Sequence, residues 1–204
     1  MGRSVWRGLV AVVAIAGAAF PGAGASAETA AGQVDLAFGS CGVAESVPMD
    51  MVGRGLPGAA HSVAVQSDGK LLLAGAAENK HTLTRLSPDG AVDHSFGRSG
   101  TVLGAGVGWA LVVVQPDQRI VVTGHRSGTV DSVRRHLPDG ALDRSFGQGG
   151  IAPLPSGTAL RAVTLQADGK ILGLSESSLV RLLPNDAVDP SFGTGARCRR
   201  CRGG

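Results

Sequence analysis

Sixteen carboxylates, five histidines and three cysteines are among the side chains of this 204-residue chain with the chemistry to move protons or hold a metal ion. Nine of the carboxylates recur at matching places: Asp35, Asp93, Asp143 and Asp189; Asp68, Asp117 and Asp168; Asp89 and Asp139. In a catalytic reading they would be paired acids or calcium ligands. Their neighbours are Gly and Pro, and Asp in such company bonds its own backbone two residues on, so they read as turn formers. The remaining acids, Glu28, Glu45, Asp50, Glu78, Asp131, Glu176 and Asp186, are scattered. The histidines show neither the H-E-x-x-H nor the H-x-H spacing of a metal site. No Gly-x-Ser-x-Gly elbow appears either. The sequence therefore assigns no catalytic residue, no metal and no cofactor.

A binding set is easier to find. Two positions before the matching residues Val63, Val112 and Val163 stand His61, Ala110 and Arg161, with Trp109 beside Ala110. These residues depart from the pattern around them. If their strands line a central channel, His61, Trp109 and Arg161 meet at one mouth, where they would stack on and hydrogen-bond a ligand.

The elements that would position them are set by a repeat. Asp, two variable residues and Phe-Gly recur at Asp35–Gly39, Asp93–Gly97, Asp143–Gly147 and Asp189–Gly193, with the Phe residues 58, 50 and 46 positions apart. A period of this size marks a solenoid, a propeller or an array. Between the motifs, Ser62–Gln66 alternates as a strand does. Asp68-Gly69 is a hairpin turn, and Lys70–Gly75 returns as an apolar strand. His81–Leu86 alternates again, Pro88-Asp89-Gly90 turns, and Thr101–Leu103 closes a fourth strand. The first hairpin recurs around Gln115 and Gln166, and the second turn around Pro138 and, degraded, Pro184. No segment of ten residues beyond the N-terminal region has helical periodicity. Four strands in about 50 residues suit a propeller blade. Phe38, Phe96, Phe146 and Phe192 are expected to pack between blades, with Asp35, Asp93, Asp143 and Asp189 as structural partners. Arg85, Arg135 and Arg181 are expected to hold a repeat Asp or a turn carbonyl through their fork of donors.

The phrase Gln-x-Asp-Gly-Lys-Ile/Leu, followed by Arg-Leu-x-Pro-Asp-Gly-x-Leu/Val-Asp-x-Ser-Phe-Gly, resembles the delta-60 repeat β-propeller family over residues 33 to 195. The resemblance implies a propeller related to NHL-like repeats, chiefly bacterial and often exported. It implies no single activity, because a fold does not carry a function.

The expected fold is all-β: about three four-stranded propeller blades (33–97, 98–147 and 148–193) plus one extra outer strand, as a partial or open propeller. Closed propellers typically have about four to eight blades. The open count is expected to reflect a fragment of a longer ring, and open edges would permit self-association.

Residues 1–27 read as a secretory signal peptide. Arg3 and Arg7 open it, Leu9–Phe20 is apolar, and Ala25-Ser26-Ala27 is a cleavage site before Glu28. The apolar run falls short of the ~20 residues a membrane span needs, so no membrane span is expected after cleavage. The chain is expected to be secreted or periplasmic. The formal charge of +3 comes from the ends. Without Arg3, Arg7, Arg197, Arg199, Arg200 and Arg202, 13 basic residues face 16 acidic ones, which argues against nucleic acid as a partner. Cys41, Cys198 and Cys201 are an odd set. The tail, 196–204, is expected to be disordered. The expected function is that of an exported binding or interaction scaffold for a protein or small-molecule ligand. The alternative is a lactonase- or lyase-type propeller enzyme working through its channel.

Overall fold

The computed structural model describes residues 34–44, 59–77, 80–105, 110–124, 132–155, 158–185, 187–193 and 197–199. The signal-peptide reading, Trp109, Asp131 and most of the tail lie outside these residues.

The described chain from Asp35 onward is built from strands and turns. Three antiparallel sheets of four strands follow one another. The first holds β1 (Ala59–Val65), β2 (Leu71–Ala77), β3 (Lys80–Leu86) and β4 (Thr101–Ala105). The second holds β5 (Ala110–Val114), β6 (Ile120–Gly124), β7 (Ser132–His136) and β8 (Ile151–Pro153). The third holds β9 (Leu160–Leu165), β10 (Ile171–Ser175), β11 (Ser178–Leu182) and β12 (Arg197–Arg199). Each sheet is a meander whose neighbours in sequence are neighbours in space. The strand after each Phe-Gly motif pairs backward: β4 lies on β3, with Leu83 opposite Val102. The sheets therefore end after residues 105 and 153, not at the motif boundaries 97 and 147. Of the tail, residues 197–199 are described as β12, which pairs with β11 (Leu179 opposite Cys198). The extra outer strand expected after Phe38-Gly39 falls on residues beyond 44, outside those described. What is seen there is a turn closed by Ser40 and Val43.

Turn chemistry accounts for the meander. Gly69 and Gly169 take φ of +81° and +80° in the first hairpin turn, a region that costs other residues about 1–2 kcal/mol. In the second sheet Gln118 occupies the same place at φ 65°. Its side chain is used, because Oε1 accepts from the backbone N–H of Ser67 in the first sheet at 3.2 Å.

The sheets stack through their first strands, β1 against β5 and β5 against β9. Two apolar cores fill the two interfaces. Leu72, Ala74, Leu83, Phe96, Ala110, Val112, Ile120 and Val122 form the first. Phe146, Val121, Val133, Leu160, Ile171 and Leu182 anchor the second. Strand position alone does not determine burial. Val63 and Val112 match in register, yet Val112 is 3% exposed and Val63 is 60% exposed. Val112 faces the preceding sheet, whereas among the described residues no sheet stands before Val63.

One clasp repeats at each interface. Arg85 Nε donates to Asp93 Oδ2 at 2.9 Å, and Nη2 donates to Ser95 Oγ at 3.1 Å. Its guanidinium lies 4.6 Å from the centre of the Phe96 ring, and Nη1 donates to the Pro138 carbonyl of the next sheet at 2.6 Å. Arg135 repeats the set with Asp143, Ser145, Phe146 and Pro184. Arg181 repeats its first part, with Asp189 and Phe192. Beside the clasp, Gly97 N–H donates to the Asp139 carbonyl and Gly39 N–H to that of Asp89. Asp35 has the Asx-turn role, its Oδ1 accepting from Ala37 N–H at 2.9 Å, while Phe38 is half-buried. Arg85 and Arg135 thus hold both the repeat Asp and the turn carbonyl, and Arg181 holds the repeat Asp.

Candidate functional site

Of the residues expected at the channel mouth, Trp109 lies outside the described residues, and His61 and Arg161 stand at matching irregularities of their strands. His61 and Arg161 are both bulge residues. On β1 the register jumps from Ala60 opposite Gly75 to Ser62 opposite Ala74, leaving His61 unmatched. On β9 it jumps from Leu160 opposite Ser175 to Ala162 opposite Leu174, leaving Arg161 unmatched. Among the described residues β5 and β6 pair without a shift of register, and Ala110 sits directly opposite Gly124. Ala110 is therefore the counterpart of Ala60 and Leu160, not of His61 and Arg161. A bulge re-aims one side chain and adds local twist, so equal spacing along the chain does not give equal direction here. Arg161 is exposed and ion-paired with Glu176 on its own sheet. His61 is half-buried, and burial lowers its pKa. β5 stands between their two strands.

A different set converges. Towards the outer strands, the first and second sheets part around a cleft of about 660 Å³. Ligand pockets run from about 300 to 1,000 Å³, so this one has room for a small molecule. Leu83, Val102, Leu103, Val122, Leu142 and Ile151 give it apolar walls, and His81, Arg134 and His136 bring basic groups to it.

These three residues break the repeat. His81 stands where the third sheet has Ser177. Arg134 stands where the other sheets have Thr84 and Val180, and His136 where they have Leu86 and Leu182. Thr84 bonds Thr101 within its sheet, Oγ to Oγ, at 3.0 Å. Val180 is core. Arg134 sits between Val122 and Ile151 in register.

Two glycines let the basic groups cross the interface. Arg134, from β7, reaches β4 of the first sheet, where a Cβ on Gly104 would lie 2.8 Å from its Nη1. His81, from β3, reaches β6 of the second sheet, where a Cβ on Gly124 would lie 2.8 Å from its Cδ2 and Cε1. Each sheet thus lays one basic side chain over a glycine of the other.

The electrostatics follow from burial. Burial pulls the Arg134 guanidinium below its ordinary value. Among the described residues no hydrogen bond or ion pair holds it. Burial also lowers the pKa of His136, with Arg134 adding repulsion and a hydrogen bond to the Gly140 carbonyl opposing both. That bond, 3.0 Å from Nδ1 to the Gly140 oxygen, requires the proton on Nδ1 and leaves Nε2 as an acceptor in the neutral ring. At neutral pH the cleft presents one fixed positive charge and an imidazole acceptor among apolar walls. Among the described residues, no three His, Cys, Asp or Glu side chains gather as metal ligands.

Departure from the repeat was the signal that could have found this cleft, applied to the third strands as well as the first. What the sequence does not carry is the pairing of His81 with Gly124 and Arg134 with Gly104, since each joins residues of different sheets.

Three segments, residues 66–96, 115–146 and 166–192, match the family described as "Domain of unknown function (DUF5122) beta-propeller". These are the three Gln-to-Phe stretches of the repeat, and with the three sheets they make the fold an open β-propeller. No curated protein matches the chain. Among solved structures, a protein of unknown function from Bacteroides caccae is similar over 67% of this chain and 45% of its own, at 15% identity and a TM-score of 0.42. A protein from Lactobacillus plantarum is similar over 64% and 40%, at 14% identity and a TM-score of 0.42. A catalytically inactive virginiamycin B lyase from Staphylococcus aureus, with quinupristin, is similar over 67% and 42%, at 11% identity and a TM-score of 0.43. The chain spans less than half the length of each of these structures.

Proposed function

We propose that these propeller repeats, of the delta-60 type, form an exported ligand-binding module whose site is the cleft between the first two blades. The observation that carries this reading is Arg134, a partly buried guanidinium with no partner among the described residues, held among apolar side chains. Burying a charge is costly unless it is paired. A side chain kept at that cost, where the other blades have Thr and Val, is explained by a ligand that completes it. Export is supported by the positive start, the apolar run and the Ala-Ser-Ala site of residues 3–27.

Leu103 lines the cleft from β4 and is half-exposed, so Leu103→Trp would fill the space without disturbing a core. Thermal unfolding of the wild-type protein and Leu103→Trp should be followed against a library of small molecules. A ligand that binds the native state raises the melting temperature. Compounds that stabilise the wild type and not Leu103→Trp are the expected result. Compounds that shift both proteins equally would place binding elsewhere.

A further inference from the structure

The chemistry of the cleft narrows its occupant. We infer that the first interblade cleft takes an apolar small molecule bearing one negative charge, which pairs with Arg134. The inference rests on the cleft being a ligand site and adds the class of ligand.

Three features support it. The permanent charge of the site is that of Arg134, while the neighbouring His136 is neutral at pH 7, its pKa lowered by burial and by Arg134 itself. One guanidinium presents a planar fork of N–H donors that matches one carboxylate in two parallel hydrogen bonds. The walls are apolar. Leu83, Val102, Leu103, Val122, Leu142 and Ile151 offer a ligand's body hydrophobic contact and nothing to hydrogen-bond with their side chains. Finally, the guanidinium is held at the wall. It lies over Gly104, where no side chain stands between it and the strand. An anion at this place would meet a positive group already stripped of part of its water, where charge pairing is stronger than at an exposed surface.

The inner half of the same interface is closed by Leu72, Ala110, Val112 and Ile120, so a ligand's body would lie along β4 and β7 toward the outer strands. A cation would meet Arg134 with repulsion. A neutral ligand would leave the charge of the guanidinium uncompensated.

The test uses the protein without its N-terminal 27 residues, prepared as folded material, and three probes sharing one body: octanoate, octanol and octyltrimethylammonium. Calorimetric titration should show octanoate binding at least about tenfold tighter than octanol, the scale of one charge-assisted hydrogen bond. Arg134→Gln should erase that preference while leaving octanol binding unchanged. Gly104→Ala, whose methyl would displace Nη1, should weaken the preference with the positive charge still present. Circular dichroism and melting of each variant would establish that it is folded. Equal binding of octanoate and octanol to the wild type, or tighter binding of the trimethylammonium probe, would overturn the inference and leave the cleft standing as a ligand site. Binding of none of the three would overturn both readings together.

Discussion

Arg135 Nε donates to Asp143 Oδ2 at 2.7 Å, and both side chains are buried. The remaining donors of the same guanidinium leave the pair and reach Ser145 on its own sheet and Pro184 on the next. The ion pair is therefore one corner of a joint between blades, and its geometry depends on four partners held at once.

Removing the cation should be costly. Arg135→Met removes the joint but leaves Asp143 with Arg119, whose Nε lies 3.1 Å from Oδ2, so the loss should be about 2–3 kcal/mol, below the ~3–5 kcal/mol of a buried charge left with no partner. Arg135→Lys should recover little of it, because an ammonium cannot reproduce the fork. Arg181→Met should cost less, since no bond from Arg181 to a following turn is seen among the described residues. Urea unfolding of the three variants measures the order.

The aromatic positions should separate in the same way. Phe96 lies in the first interblade core and Phe146 in the second, both fully buried. Phe96→Ala should cost about 3–5 kcal/mol. Phe38 and Phe192 are half-buried, and their Ala variants should lose distinctly less in the same unfolding experiment.

Two glycines allow backbone strain to be told from packing. Gly140 and Gly149 have φ of +93° and +66°. Around Gly149 a methyl group would meet open space, so Gly149→Ala should cost about 1–2 kcal/mol from the left-handed conformation alone. At Gly140 the methyl would meet Val102 Cγ2 at 2.9 Å and the Phe96 ring at 3.0 and 3.1 Å. Gly140→Ala should cost more than Gly149→Ala, and Phe96→Leu should reduce the difference in a double-mutant cycle.

The pH dependence of stability should have two parts. His136 has a folded-state pKa below the usual imidazole value of about 6.5. As pH falls through that value the unfolded chain takes up the proton first, so stability declines there and levels off once the folded pKa is passed. His136→Leu, which restores the residue type of the other blades, should flatten this decline. His61 has the same sign and should leave a residue of it. Hydrogen bonds from Ser95 and Ser191 hold Asp93 and Asp189 below the usual carboxylate value. Their contribution is present above pH ~3.9 and lost below it. Melting temperatures from pH 8 to pH 2.5 resolve the two windows.

The sequence alone determined the parts of this protein that recur. Asp-Gly and Pro-Asp-Gly turns, alternating strands and the Phe-Gly motif are local, and local chemistry returns at every period. From them follow the four-stranded meanders, the structural Asp and Phe residues, and the Arg forks. Tertiary structure decided what faces what. It buried Val112 and exposed Val63, since burial depends on whether another sheet stands opposite. It turned His61 and Arg161 into bulge residues, since inserting one residue on one strand breaks the correspondence between spacing and direction. It brought Arg134 onto Gly104 and His81 onto Gly124, contacts between residues 30 and 43 positions apart that no period along the chain encodes. The cleft belongs to two sheets at once, and the stacking of the sheets is what created it.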